Sequence, residues 1–245
     1  MKRILLVLMV FFAVARSSAQ PSQATIDLGL WGGLSGYQGD MTYVDRLGSI
    51  GGAGGVFCRY NFNPRYGIRV SALVGNISGV GKFDDIDWEF DKTVNDFSAV
   101  FEFNFLPYLI GSSKNNISTF LTLGVGGGTY PKATKFSGSI IDGVYTPSVD
   151  KTDYGEGGDM ISAWNIPLGF GFKFNVTKRL GMGAEFVLRK YFDDGLDNLD
   201  DPRAFGVEDS EGYNTSLHNN DWTFHLGVFV YYQIFRVDKH CALYD

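Results

Sequence analysis

Phe97-Ser98-Ala99-Val100-Phe101-Glu102-Phe103-Asn104-Phe105 is the plainest pattern in this chain. Phe97, Ala99, Phe101, Phe103 and Phe105 share one parity; Ser98, Val100, Glu102 and Asn104 share the other. Successive side chains of a strand point to opposite faces, so the run reads as a strand with one greasy and one mixed face.

Seven further stretches repeat the pattern: Thr25–Tyr37, Ser49–Asn61, Tyr66–Asn76, Ile117–Tyr130, Ser162–Asn175, Arg179–Tyr191 and Asp221–Phe235. In Ser162–Asn175, for example, Ile166, Leu168, Phe170, Phe172 and Phe174 oppose Asn165, Gly169, Gly171 and Lys173. The connections alternate in length. Short ones lie at Asn61–Tyr66, Ile110–Asn116 and Asn175–Lys178; long ones cover Gln38–Gly48, Ile77–Asp96, Pro131–Ile161 and Phe192–Asn219. An even number of antiparallel strands, with tight turns at one end and long loops at the other, is the pattern of an outer-membrane barrel. The fold expected is all-β: an eight-stranded antiparallel transmembrane β-barrel with long extracellular loops and short periplasmic turns. A soluble sandwich would bury the greasy face instead, but it gives no reason for the long-short order of connections. Tyr60, Tyr108, Trp164, Tyr191, Trp222 and Tyr232 fall near strand ends, where aromatic girdles sit.

The first residues read as a secretory signal peptide over 1–19. Lys2 and Arg3 form a basic start, Ile4–Val14 is too short an apolar run to span a bilayer as a helix, and Ser17-Ser18-Ala19 offers a cleavage site before Gln20. The expected division is then the signal peptide, a barrel over 20–235 and a periplasmic tail over 236–245. The formal net charge is -6, and removing Lys2, Arg3 and Arg16 makes it -9. So acidic an exported chain argues against a nucleic-acid partner and leaves outer-membrane lipid as an expected one. Cys58 and Cys241 could pair in an oxidising compartment, although Cys58 falls on a greasy strand face and Cys241 in a polar tail.

Eight strands enclose a lumen that side chains can fill. The inward parity holds Asp27, Arg59, Arg69, Glu102, Lys173, Glu185, Arg189 and His225, which are expected to form a paired polar plug, because an unpaired buried charge is costly. A narrow pore or proton path is the competing reading. No catalytic site, cofactor or metal is expected. His218 stands near Ser216 and Asp221, but adjacency in sequence is no triad. The acidic run Asp193–Asp201 lacks the alternating ligands and final bidentate Glu of a calcium loop. No helix follows the glycines at 51–52 or 126–128, so they are not phosphate loops.

Several segments, taken in order, resemble the PorG-like outer-membrane barrels. Gly36-Tyr37-Gln38-Gly39-Asp40 is similar to that family's Tyr-x-Gly-Asp segment. The likeness continues through Tyr66-Gly67-Ile68-Arg69-Val70, Gly75-Asn76-Ile77-Ser78-Gly79 and Phe101–Phe105. It runs on through Ile166-Pro167-Leu168-Gly169-Phe170-Gly171 and Gly183–Arg189. Tyr191-Phe192-Asp193-Asp194-Gly195-Leu196-Asp197 loosely resembles a Thr-Asp-Tyr-Leu-Asp-Asp motif and departs from it at Gly195. The resemblance implies a non-enzymatic component of the type IX secretion system, one that ties a periplasmic ring of the PorK lipoprotein and PorN to the outer membrane. Such a partner would be met by the short-turn end and tail, through Arg65, Arg236, Asp238, Lys239, Cys241 and Tyr244. The rival expectation is an adhesion or ligand-binding barrel working through its long acidic loops.

Overall fold

The computed structural model describes residues 24–38, 43–44, 48–83, 86–111, 115–131, 137–141, 144–148, 160–193, 196 and 221–236. They form β1 (Thr25–Gln38), β2 (Tyr43–Val44), β3 (Ile50–Asn61), β4 (Tyr66–Phe83), β5 (Ile86–Asn104) and β6 (Ile117–Pro131). These are followed by β7 (Ser137–Ile141), β8 (Val144–Ser148), β9 (Met160–Asn175), β10 (Leu180–Tyr191) and β11 (Trp222–Arg236). Eight of them, β1-β3-β4-β5-β6-β9-β10-β11, pair each with the next, all antiparallel. β11 returns to β1, with Leu30 opposite Val230, and closes the ring. This is the eight-stranded antiparallel barrel that the alternation predicts.

The wall is inside-out relative to a soluble barrel. Leu30, Val56, Phe97, Leu123, Val125, Leu168, Phe170 and Val228 all face outward and exposed, while Asp27, Arg59, Glu102 and Lys173 are buried inside. So apolar an outer surface is suited to hydrocarbon, where a closed sheet satisfies every backbone donor and acceptor internally. Near the seam the register shifts between Ile26 and Asp27, whose partners are Phe235 and Gln233. The extra residue, Ile234, forms a bulge, and so Ile234 and Phe235 both stand exposed although they are neighbours.

Two of the short turns share one chemistry. Asn63 Oδ1 accepts from the backbone N–H groups of Arg65 and Tyr66 at 2.8 and 2.9 Å. Thr177 Oγ1 accepts from those of Arg179 and Leu180 at 3.3 and 3.0 Å. A side-chain oxygen that takes up donors at a reversal is what favours Asn and Thr there.

Three expectations need correction. Residues 77–96 are not a loop: β4 and β5 pair continuously from Tyr66 opposite Phe103 up to Phe83 opposite Ile86. The result is a hairpin taller than the rest of the wall, with β2 paired to it at Gly81 and Lys82. The third short connection is not a simple reversal either, because the chain from Phe105 to Gly111 folds back over the barrel mouth. Of the six expected girdle aromatics, Tyr60, Trp164, Trp222 and Tyr232 face outward, whereas Tyr108 and Tyr191 are buried inside.

Candidate functional site

Among the described residues, side chains fill the lumen in layers. At the short-turn mouth, Tyr108 and Ile110 turn inward and join Trp31, Phe57, Leu73, Phe120, Phe229 and Tyr231 in one apolar cluster. The hydroxyls of Tyr108 and Tyr231 meet at 2.6 Å. Hydrogen bonds to the backbone fix the fold-back: Tyr108 N–H donates to the Pro64 carbonyl at 2.9 Å, and the Asn104 side-chain Nδ2 donates to the same oxygen at 3.1 Å. Asn175 Nδ2 holds the Leu109 carbonyl at 3.1 Å. Gly111 ends the cap with φ 75°, a left-handed backbone that favours glycine, and a Cβ there would lie 2.7 Å from the Lys178 carbonyl oxygen. Burial pushes the Tyr108 hydroxyl up to about 12, against the lowering effect of its hydrogen bond to Tyr231.

Above the cap lies an ion layer centred on Glu102. Arg59 Nε donates to Glu102 Oε2 at 3.1 Å, Lys173 Nζ donates to Oε1, and Arg59 also approaches Asp27 at 3.7 Å. Asn61 Nδ2 bonds Asp27 Oδ2 at 2.8 Å. The two cations are held against rings as well: Arg59 lies 4.7 Å from the Tyr231 centroid and Lys173 5.0 Å from that of Tyr108. Cations over aromatic faces keep part of the electrostatic attraction that they lose with their water.

Further up, Arg69 donates to Glu185 at 2.8 Å and packs over Phe57. Arg189 pairs with Asp96, whose other oxygen accepts from Asn165 Nδ2 at 2.7 Å and the Tyr191 hydroxyl at 2.8 Å. Gly128 faces this layer, and a Cβ there would fall 2.7 Å from the Tyr191 ring, so that position has to stay small. At the long-loop mouth the Tyr130 hydroxyl donates to Asp193. Asp221 accepts from the Tyr37 hydroxyl and the Leu196 N–H, both at 3.0 Å.

The ion pairs of the lumen join four cations, Arg59, Arg69, Lys173 and Arg189, to four carboxylates, Asp27, Asp96, Glu102 and Glu185. Within these contacts charge is balanced, which is the condition for burying it at tolerable cost; nearer the long-loop mouth Lys92 is buried too, 5.2 Å from the Tyr130 ring centroid. Seven of the eight residues singled out by parity stand in these contacts. His225 stands apart: it is buried edge-on to Trp31 at 6.1 Å, with Thr223 Oγ1 3.4 Å from its Nε2, and among the described residues no carboxylate pairs with it. Asp96, Asn61 and Tyr231 join the lumen beyond the eight of the parity reading, and Tyr108 and Tyr191, expected in the outer girdle, stand there as well. Asp96 was legible in principle, because it continues the inward parity of Ser98, Val100 and Glu102.

Of the expected partner contacts, Arg65 lies exposed on the first short turn, with Nη1 donating to the Phe105 carbonyl at 2.8 Å. Arg236 ends β11; Asp238, Lys239, Cys241 and Tyr244 lie outside the described residues, as do Ser216 and His218. Cys58 is a free thiol on the outer face. Asp221, which stood near His218 in sequence, is part of the mouth network instead.

A family model described as "Domain of unknown function (DUF6089)" matches residues 2–243. No curated protein matches the chain. Among solved structures, the N-terminal β-barrel domain of Pseudomonas aeruginosa OprF is similar at 11% identity and a TM-score of 0.39, over 87% of this chain and 100% of that one. Neisserial surface protein A is similar at 9% identity and 0.46, over 86% and 97%. The outer membrane protein OprG from Pseudomonas aeruginosa is similar at 14% and 0.44, over 86% and 98%. These are likenesses of fold.

Proposed function

We propose that this chain, which belongs to the DUF6089 family, is a non-enzymatic outer-membrane barrel that holds a periplasmic ring of a type IX-like protein secretion machine at the membrane. The observation that carries the reading is the filled lumen. An interior occupied by the ion layers around Glu102, Glu185 and Asp96 and stoppered by Tyr108 and Ile110 leaves little room to conduct a solute, so the work of the protein falls to its surfaces. The resemblance of the ordered motifs to the PorG-like barrels implies the partner: a ring of PorK-like lipoprotein and PorN-like protein. In this reading the contacts are made at the short-turn end and by the tail, through Arg65, Arg236, Asp238, Lys239, Cys241 and Tyr244. Outer-membrane lipid is the other partner, and no cofactor or nucleic acid takes part.

The test is recovery of the intact protein from solubilised membranes, beside a form ending at residue 236. Ring proteins should accompany the intact chain and be depleted with the shortened one. Recovery of none with either form counts against the assignment.

The tall hairpin of β4 and β5 favours a second reading, in which the long-loop face binds a ligand or surface. External protease applied to intact cells separates the two. Shaving the loops abolishes function if the loops do the work, and spares it if the periplasmic side does.

A further inference from the structure

Charge is segregated between the two ends of the barrel far more sharply than the overall balance suggests. The long-loop segments 38–48, 131–161 and 192–219, together with the upper β4–β5 hairpin at 77–95, hold 20 of the 27 Asp and Glu residues of the chain. The three short turns, at 61–66, 105–116 and 175–180, hold Arg65, Lys114, Lys178 and Arg179 and no carboxylate at all. Of these cations Arg65, Lys178 and Arg179 are described, and all three are exposed.

The depth of these turns says what the cations meet. Exposed apolar side chains run right up to them: Phe62 and Val176 lie within the turns themselves, and Tyr66, Phe105, Leu106, Phe235 and Ile234 border them. Phe62 packs edge-on against the outward Tyr60 at 5.0 Å, so it continues the greasy wall rather than leaving it. Turns that still carry wall-like apolar groups do not project beyond the lipid headgroups, and cations one to three residues from those groups sit in the headgroup layer.

The turns are also held in one shape. Asn63 and Thr177 lock the two reversals, the Arg65 guanidinium is bonded to the Phe105 carbonyl, and Gly111 packs beside the Lys178 carbonyl. A collar held in this way loses little freedom on binding. We propose that Arg65, Lys178 and Arg179 form a basic collar that binds the phosphates of anionic phospholipid headgroups in the leaflet at the short-turn end. A Lys or Arg near an anionic lipid surface favours binding by about fivefold per cation, and salt weakens the effect.

This inference rests on the outer wall facing hydrocarbon and not on the identity of any ring protein, so the two proposals can fail separately. Arg65 is the one residue that both proposals use; Lys178 and Arg179 belong to the collar alone and the tail residues to the ring contact alone.

The experiment uses the full mature chain folded into vesicles of phosphatidylcholine, with or without phosphatidylglycerol. It follows the midpoint of the heat-induced mobility shift on gels for the natural chain and for an Arg65→Gln/Lys178→Gln/Arg179→Gln variant. The acidic loops are common to both chains, so the gap between their midpoints isolates the collar. That gap should widen with phosphatidylglycerol and narrow again in high salt. Should the triple variant not fold, Lys178→Gln/Arg179→Gln, which leaves the Arg65 hydrogen bond in place, should show a smaller widening of the same kind. A gap that is equal in both vesicles overturns the proposal. If the same variant then recovers fewer ring proteins from membranes, the collar is a protein-docking surface instead.

Discussion

At the scale of single residues, Glu102 has the most to lose. It is fully buried and accepts from two cations, Arg59 and Lys173, each of which is also wedged against aromatic rings. Glu102→Gln keeps the shape but strips the charge, leaving two cations to share Asp27. Removing one partner of a buried pair costs about 3–5 kcal/mol, and here the loss falls on two pairs at once. Urea unfolding in detergent or vesicles should register a loss of at least that order. An unchanged midpoint would show that water already screens this layer. Tyr108 adds a pH dependence of known sign. Its hydroxyl titrates near 12 in the folded chain, raised by burial above its ordinary value of about 10. A raised value means the stabilisation is complete below pH 10 and is lost as pH climbs towards 12. Tyr108→Phe should therefore weaken the alkaline loss of stability, at the expense of the Tyr231 hydrogen bond at neutral pH.

At the scale of elements, the wall was legible because its cause is local. With lipid on one side and packed charge on the other, every strand must alternate, and a slip of one residue would turn phenylalanines into the lumen. Hence the span 117–130 read from alternation agrees with β6 at Ile117–Pro131. The upper part of the β4–β5 hairpin was not legible for the same reason reversed. Ile86-Asp87-Trp88-Glu89-Phe90-Asp91 does alternate, but its apolar residues share the parity of Ser98 and Glu102 instead of that of Phe97, the reverse of the lipid-facing wall. The inward fold of Tyr108 was hidden differently: its hydroxyl partner, Tyr231, is 123 residues away, and no local pattern reports such a contact. Asp96 is hidden because its outward-parity neighbours Thr93 and Asn95 are polar, so the greasy face that marks β5 starts only at Phe97. The hairpin itself yields a prediction. Pairing of β5 with β6 begins only at Asn95, so above that level β5 is hydrogen-bonded as a strand to β4 alone, with Phe90 packed on Tyr37 and Lys92 over Tyr130. Replacing residues 79–90 by a two-residue Asn-Gly turn should leave heat-modifiable migration intact, because the ladders that close the ring are untouched. Loss of the folded band would mean that the hairpin top helps to hold the barrel.

At the scale of the whole molecule, one question governs the rest: what touches the outer wall. Phe101, Leu123 and Leu168 stand opposite one another across β5, β6 and β9, half-way up the wall, and all three are exposed. If water or a second sheet met them, a charge at that height would be tolerated or would merely disturb one contact. If hydrocarbon meets them, a cation there must be dragged into the least polar part of the bilayer, while the same change near a strand end can reach the headgroups. Leu123→Arg should then cost about 2–4 kcal/mol in vesicles, and Ile117→Arg, at the short-turn end of the same strand, about 0–1 kcal/mol. Both positions lie on β6, point outward and are more than half exposed, at 56% and 54%, so intrinsic strand preference and burial in protein are nearly matched between them. The difference therefore reports depth in the membrane. Equal costs at the two positions, or solubility of the mature chain without detergent, would remove the hydrocarbon from the argument. The basic collar, the scaffold role and the meaning of the charge-filled lumen would all go with it.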